Sequence, residues 1–436
     1  MSRSTQPSCR PRGTHMLRLI MLVLVCLACV LPATAGAHAT LESSEPAAQA
    51  VLDAAPDEIT LIFTGSVTTG KDSITVFAPD ESNVAVGEAM PHKGARITQP
   101  IAATQSGTYG VSYRVSSEDG HVMTGALTFV VGEAGADDAA AAQARDAAKV
   151  DRSLQLAFST GRFVEILALL IASGTGIFAA LLAPGWRPRL LIGSLLILLL
   201  AYAFGYIIDT AIVRGISIGA LDREALIDTA DTPFGLSLQI RALIAIVALG
   251  PALLLRYGPP LPVLARWAVA VVFAGLAASL SITGHAVTTD PMWLRMPLDM
   301  VHVIAAAIWV GGLLQLAFLA PFATTQIDAV QRFSHTAFAS VMVLLLTGAY
   351  ATYAELGMHP SELLDSRYGR LIVGKLVLYL GTMPLAFNNM HAFVPQLRRR
   401  PEDAPRLLRQ YVWREFSLLL VIIGLTVWLI ATPQPI

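Results

Sequence analysis

The sequence predicts a chain of two parts: an N-terminal antiparallel β-sandwich of Greek-key, cupredoxin- or immunoglobulin-like type, then a polytopic α-helical membrane domain of about eight spans. Two observations predict it. Hydrophobic residues make up 54% of the 436 positions and charged residues only 14%, a balance outside the soluble globular range that assigns most of the length to lipid. Every apolar run of spanning length after the N-terminal leader lies beyond residue 160, whereas residues 41–131 hold short alternating runs broken by Pro and Gly, the pattern of strands and turns.

Residues 1–37 read as a signal peptide. Arg10, Arg12 and Arg18 precede the apolar run Leu19 to Leu31, and Ala35-Gly36-Ala37 supplies the small residues that cleavage requires. The run falls short of the ~20 residues of a spanning helix, and either Met1 or Met16 serves as its start. Cleavage makes His38 the first mature residue. Cys9, Cys26 and Cys29 leave with the leader, so the mature chain has no disulfide and no thiolate ligand. The formal net charge of -1, with Lys and Arg scattered between apolar runs, gives no footprint for nucleic acid.

Residues 38–132 form the extracytoplasmic module, with strands expected at Ile59–Phe63, Ser73–Phe77, Tyr109–Val115 and Ala126–Val131. Turn residues separate them at Pro56, Gly65–Gly70, Pro79-Asp80, Pro91–Gly94 and Asp119-Gly120. Residues 133–160, Ala-rich and charged, are expected to be a tether, either coil or a loose helix, that lets the module move.

In the membrane domain, residues 161–431, apolar runs fall at about 163–183, 190–208, 237–255, 267–284, 299–320, 336–354, 371–393 and 415–431. Lipid requires them to be helical. With residue 38 outside, the first span runs inward. The inner loops then carry Arg187, Arg189, Arg256, Arg266, Arg332 and the run from Arg398 to Arg414, while the outer loop 209–236 is acidic. That satisfies the positive-inside rule and puts the C-terminus outside. Gly174, Gly176, Gly311 and Gly312 are expected to allow close helix packing. Glu165, Asp209, Arg241, Asp299 and Lys375 lie near helix ends, where snorkelling accounts for them, with Arg241 and Asp299 as a pair.

His38, Asp119 and His121 form the first chemical constellation. A terminal histidine offers one metal its α-amine and its imidazole Nδ1 together, a chelate that no internal histidine makes. His121 adds a nitrogen and Asp119 an oxygen, a set suited to tetragonal Cu(II). On spacing alone the bland reading stands beside it: His38 as an accident of cleavage and Asp119 as a turn cap.

The stretch His38-Ala-Thr-Leu-Glu-Ser-Ser-Glu-Pro46, together with Tyr109-Gly-Val-Ser-Tyr-Arg-Val-Ser-Ser-Glu-Asp-Gly-His-Val-Met-Thr-Gly125, resembles the CopC family of periplasmic copper-binding proteins. The resemblance covers about residues 38–131 and implies Cu(II) held by His38, Asp119 and His121. Some members add a methionine-rich Cu(I) site, for which this module has only Met90 and Met123, with His92 near Met90. Residues 160–431 resemble the CopD family more loosely, through Ser281-Ile-Thr-Gly-His-Ala286, His302 with Ile308-Trp-Val-Gly-Gly312, Arg332-Phe-Ser-His335 and Gly369–Lys375. Fusions of the two are copper-transport proteins, which implies copper homeostasis and resistance at the inner membrane with the module in the periplasm, commonly with inward movement. A periplasmic copper chaperone or reductase is left open as a partner, beside the copper ion and the bilayer.

Ionisable groups within spans mark functional positions. His285 and His302 are expected near the outer face, and His335 and His391 near the inner face. With Met292, Met296, Met300, Met383 and Met390 they would make a relay for Cu(I), which thioether and imidazole bind; interfacial histidines and apolar filler methionines are the bland alternative. No phosphate-binding motif is present, and a permease needs no enzyme activity. The alternative function is a haem-containing membrane reductase, with the two histidine pairs as axial ligands, acting on module-bound Cu(II).

Overall fold

The computed structural model describes residues 40–65, 67–69, 73–91, 95–117, 122–132, 139–282, 292–322, 326–356, 362–388, 391, 394–399, 402–430 and 432. The N-terminal part is a sandwich of two sheets. In the first, β1 (Leu41–Glu45) pairs with β3 (Glu58–Phe63), which pairs with β7 (Arg96–Pro100), and β6 (Met90–Pro91) closes the edge. The second has the order β2 (Val51–Leu52), β9 (Val122–Val131), β8 (Gly107–Ser117), β4 (Val67–Thr68), and β5 (Ile74–Phe77) also pairs with β8.

Alternation puts Ile59, Leu61 and Phe63 of β3 against Tyr109, Val111 and Val115 of β8 and Leu127, Phe129 and Val131 of β9, all buried. Tyr109 and Phe129 are opposite each other in the β8–β9 ladder, and their rings stack at 5.1 Å. The Tyr109 hydroxyl donates to the carbonyl of Gln105 at 2.8 Å, so this ring is buried without an orphaned polar atom.

The stretch expected to be a tether instead contains a docked helix, α1 (Ala139–Ala148). It covers the outer face of the second sheet, with Ala140 and Ala144 packed on Phe77. A Cβ on Gly110 of β8 would lie 2.1 Å from the Ala140 carbonyl oxygen, so backbone meets backbone there. The buried face is alanine alone, which is why a hydrophobic-period reading does not register it.

Asp151 accepts from Ser153 N at 2.7 Å and caps α2 (Arg152–Ile177), which runs on through a π-helical turn, Phe178–Leu182. There follow α3 (Leu191–Arg214), α4 (Arg223–Ala230), α5 (Pro233–Tyr257), α6 (Val263–Ala278), α7 (Met292–Leu319) and α8 (Ile327–Leu356). The last are α9 (Glu362–Asp365), α10 (Arg367–Asn388), α11 (Val394–Arg399) and α12 (Ala404–Ile430). Among the described residues, 7 helical stretches are long and apolar enough to cross a membrane: those of α2, α3, α5, α6, α7, α8 and α12. The eighth expected span falls on α10, whose 22 residues reach about 33 Å. It packs within the bundle: the Tyr379 hydroxyl donates to the carbonyl of Val341 on α8, and its ring meets Trp309 of α7 edge-on at 6.0 Å.

The four glycines do what was expected of them. A Cβ on Gly174 would lie 1.8 Å from the Ala307 carbonyl oxygen, and one on Gly311 would lie 2.7 Å from Gly174 Cα, so α2 and α7 touch through their backbones. Gly176 and Gly312 leave room for the rings of Phe273 and Phe333.

Candidate metal centre

The expected ligands His38, Asp119 and His121 lie outside the described residues, as do His92, His285 and Met390. Their flanking backbone is described, and it converges. Thr40 N donates to Thr64 Oγ1 at 2.8 Å, and Thr64 N donates to the Thr40 carbonyl at 2.9 Å. Three residues on, Val67 pairs with Ser117, and Ser116 pairs with Val122 across the β8–β9 ribbon. Thr64 and Val67 are at most about 10 Å apart along the chain, so Thr40, Ser117 and Val122 share one end of the sandwich. Met90 is exposed on β6 of the first sheet, whereas Met123 of the second packs against the module core.

That same end leans on the membrane domain. Arg114, three residues before the end of β8, donates to the carbonyls of Ala147 at 2.8 Å and Lys149 at 3.3 Å. Its guanidinium also lies against Gly215, the left-handed cap of α3, where a Cβ would meet Nη1 at 1.7 Å. Burial pushes the Arg114 pKa down, and its Nε has no hydrogen-bond partner among the described residues. The left-handed cap of α3 and the end of α1 therefore hold one residue of the β8–β9 ribbon between them.

Within the bundle, three of the five polar residues read as snorkelling, Glu165, Asp209 and Arg241, are buried instead. Glu165 and Arg241 are 2% and 1% exposed. Arg162 of α2 pairs with Glu165 one turn later at 2.7 Å, and Arg241 of α5 reaches the same carboxylate at 3.3 Å. Arg241 therefore pairs with Glu165, not with Asp299 as expected. It also donates to the carbonyls of Ser279 and Leu280 in the 3-10 turn that ends α6. The arginine satisfies these carbonyls at the end of α6, which is the physical reason it stays inside. Asp209 of α3 is equally buried, and its Oδ1 has no partner among the described residues.

The histidines separate. His302 of α7 faces into the bundle, with Nδ1 2.7 Å from Thr347 Oγ1 on α8 and its ring beside Gly348. His335 and His391 are exposed, so neither side chain turns into the bundle as His302 does. On α8 the buried positions Val330, Phe333, Ser334, Ala337, Val341 and Leu344 follow the helical period, and residue 335 falls on the other side of the helix. His391 stacks on Phe387 at 4.1 Å and contacts that residue's carbonyl through Nδ1. Met383 packs against the helical core, and Met292 is exposed.

Two buried polar groups escaped the sequence reading. Gln315 of α7 accepts from Trp186 Nε1 at 3.2 Å and donates to Thr175 Oγ1 at 3.1 Å. Glu415 of α12 is 3% exposed and accepts from Trp309 Nε1 at 3.3 Å. Both were visible in principle, since each is a polar residue at a helical position whose i±3 and i±4 neighbours are apolar.

Residues 41–132 match the family described as CopC domain, residues 153–296 that described as Copper resistance protein D-like, N-terminal domain, and residues 327–429 that described as Copper resistance protein D. The chain is 25% identical over 403 residues to the Copper transport protein CutJ of Bacillus subtilis (strain 168), covering 87% of this chain and 72% of that protein. Protein YobA of Escherichia coli (strain K12) is 37% identical over 98 residues, 22% of this chain and 79% of its own. Copper resistance protein D of Pseudomonas syringae pv. tomato is 25% identical over 196 residues, 41% of this chain and 63% of its own. Among solved structures, CopC from Methylosinus trichosporium OB3b is similar at 30% identity over 22% of this chain and 93% of its own, with a TM-score of 0.20.

Proposed function

The chain is a fusion of a CopC domain with a copper resistance protein D membrane region, and from that premise we propose that it captures copper outside the membrane and moves it inward through the helical bundle. It is a multi-pass membrane protein of the copper-handling families. In this reading the Cu(II) ligands are the α-amine and imidazole of His38, the carboxylate of Asp119 and the imidazole of His121, with signal cleavage completing the set. One observation carries the reading: the backbone leading to all three positions converges at the sandwich end that Arg114 ties to α3. Capture and delivery are then neighbours, and the module needs no long excursion to reach the bundle.

Copper enters beside His302, the described histidine that faces inward on α7. Imidazole with the thioethers of Met296 and Met300, six and two residues before it on α7, suits Cu(I), so reduction precedes entry, with the electron supplied from outside the chain. The transfer makes and breaks only metal–ligand bonds. A periplasmic reductase or chaperone is the partner this scheme calls for.

The exposure of His335 and His391 favours the permease over a haem-containing reductase, which needs two histidines facing each other at each haem. Purified full-length protein separates the two. The permease binds one equivalent of Cu(II) with nitrogen couplings in its paramagnetic spectrum, lost in His121→Ala, and shows no Soret band; a Soret band sensitive to His302→Ala would overturn it.

A further inference from the structure

Asp299 of α7 and Lys375 of α10 are half-buried charges in the N-terminal halves of their helices. Asp299 stands one turn before His302, so carboxylate and imidazole share a face of α7. The imidazole turns to Thr347 of α8 at 2.7 Å. Ser281, in the 3-10 turn that ends α6, lies beside Asp299 without closing a hydrogen bond to it. It is fully buried, and its Oγ has no hydrogen-bond partner among the described residues. A carboxylate, an imidazole and an idle hydroxyl therefore meet where α6, α7 and α8 come together.

Lys375 comes to the same place from α10. Its position belongs to the covered stripe of that helix, with Tyr368, Ile372, Tyr379 and Thr382 at steps of three and four. Two contacts fix how the stripe sits: one turn after Lys375, Tyr379 donates to the Val341 carbonyl of α8 and stands edge-on to Trp309 of α7. From that level His302 is seven residues back along α7 and Thr347 six residues on along α8, roughly 9–10 Å along each axis. Lys375 is four residues back from Tyr379, about 6 Å. Helical side chains lean toward the N-terminus, so the long lysine stem covers the difference. Its ammonium is within electrostatic reach of both Asp299 and His302.

An ammonium and a metal cation ask the same of such a place: a carboxylate for charge, and oxygen or nitrogen lone pairs turned toward it. Asp299 supplies the charge, and Ser281 a lone pair with nothing to accept. Charged groups inside a span are costly to keep and mark ion paths. Two cations beside one carboxylate repel each other strongly where water is scarce, so the ammonium and a metal ion take turns there rather than sit together.

We propose that Lys375 is a tethered stand-in for the transported ion: its ammonium faces Asp299 and His302 while the site is empty, and an arriving copper ion displaces it. Asp299 is thereby a further contact of the copper path, holding either cation by charge. The proposal rests on the reading that copper passes His302. Displacement exchanges metal–ligand bonds and hydrogen bonds only, and nothing is oxidised or reduced. The ammonium, swinging back, repels the ion onward, so Lys375 trades affinity for release.

Lys375→Met keeps the stem and removes the charge, and Asp299→Asn keeps the shape and removes the carboxylate. Cu(I) is titrated under ascorbate, against a coloured chelator, into the purified full chain carrying His121→Ala so that the module does not compete. Lys375→Met is expected to bind Cu(I) about tenfold more tightly than its parent, and Asp299→Asn about tenfold more weakly. In liposomes Lys375→Met should lower the apparent KM and the maximal rate of Cu(I) uptake together, whereas mere damage to the bundle lowers the rate with no gain in affinity. Equal or weaker binding in Lys375→Met, or unchanged binding in Asp299→Asn, overturns the proposal. Lys375→Gln replaces the methionine variant if that one fails to fold, with the same outcomes expected. Should the wild type bind Cu(I) and take none up, the transport reading fails and the two affinities alone decide the site. A parent that binds no Cu(I) refutes the site itself.

Discussion

A histidine at a chain terminus has a donor that the same residue lacks anywhere else, and the account leans on that difference at His38. Placing one alanine before His38 removes the amine chelate while leaving every side chain in place. Cu(II) affinity is expected to fall by at least tenfold in a competition titration, about 1.4 kcal/mol, and an unchanged affinity would refute the role of the terminus. Affinity should also drop as pH falls below the α-amine and imidazole values of about 8 and 6.5, because both must lose protons to bind. His38, Asp119 and His121 were legible as candidates through the stretches that resemble the CopC family. Glu415 was not, since summed hydropathy hides one carboxyl in a long apolar helix; sorting α12 by face reveals it.

At the scale of elements, strands and spans were legible because period 2 and long apolar runs are direct readouts of a half-buried sheet and of lipid. Helix α1 was not, because its face is alanine, and the orientation of His335 required knowing which side of α8 is covered. Two contacts between elements make predictions. Gly174→Leu would drive a side chain into the Ala307 carbonyl, which cannot move aside without parting α2 from α7. A loss of about 1–3 kcal/mol or more is expected, read as a lowered thermal midpoint in detergent; an unchanged midpoint would mean the helices are not in backbone contact. Arg114→Ala frees the β8 ribbon from Ala147, Lys149 and Gly215. Limited proteolysis around residue 150 should accelerate severalfold while the module's Cu(II) affinity stays the same, and equal cleavage rates would show that Arg114 does not hold the domains together.

Across the whole molecule, the bundle is built around charges that a membrane protein would be expected to shed. Glu165 stands between Arg162 and Arg241, and removing its charge takes the carboxylate from both the buried Arg241 and the half-buried Arg162. Breaking a buried pair from one side costs about 3–5 kcal/mol, so Glu165→Gln should give little folded protein by fluorescence-detected gel filtration, with wild-type yield as the contradicting result. The two-domain plan was readable from composition alone, but this network was not, because charges near helix ends look the same in sequence whether they point to water or to one another. The central claim is that copper is captured at the module and carried inward through the bundle. Copper content of cells lacking the chain, complemented with the wild type or with the form carrying one alanine before His38, tests it most directly. The account predicts lowered copper in the deletion strain, restored by the wild type and not by the blocked form; raised copper in the deletion strain would contradict it.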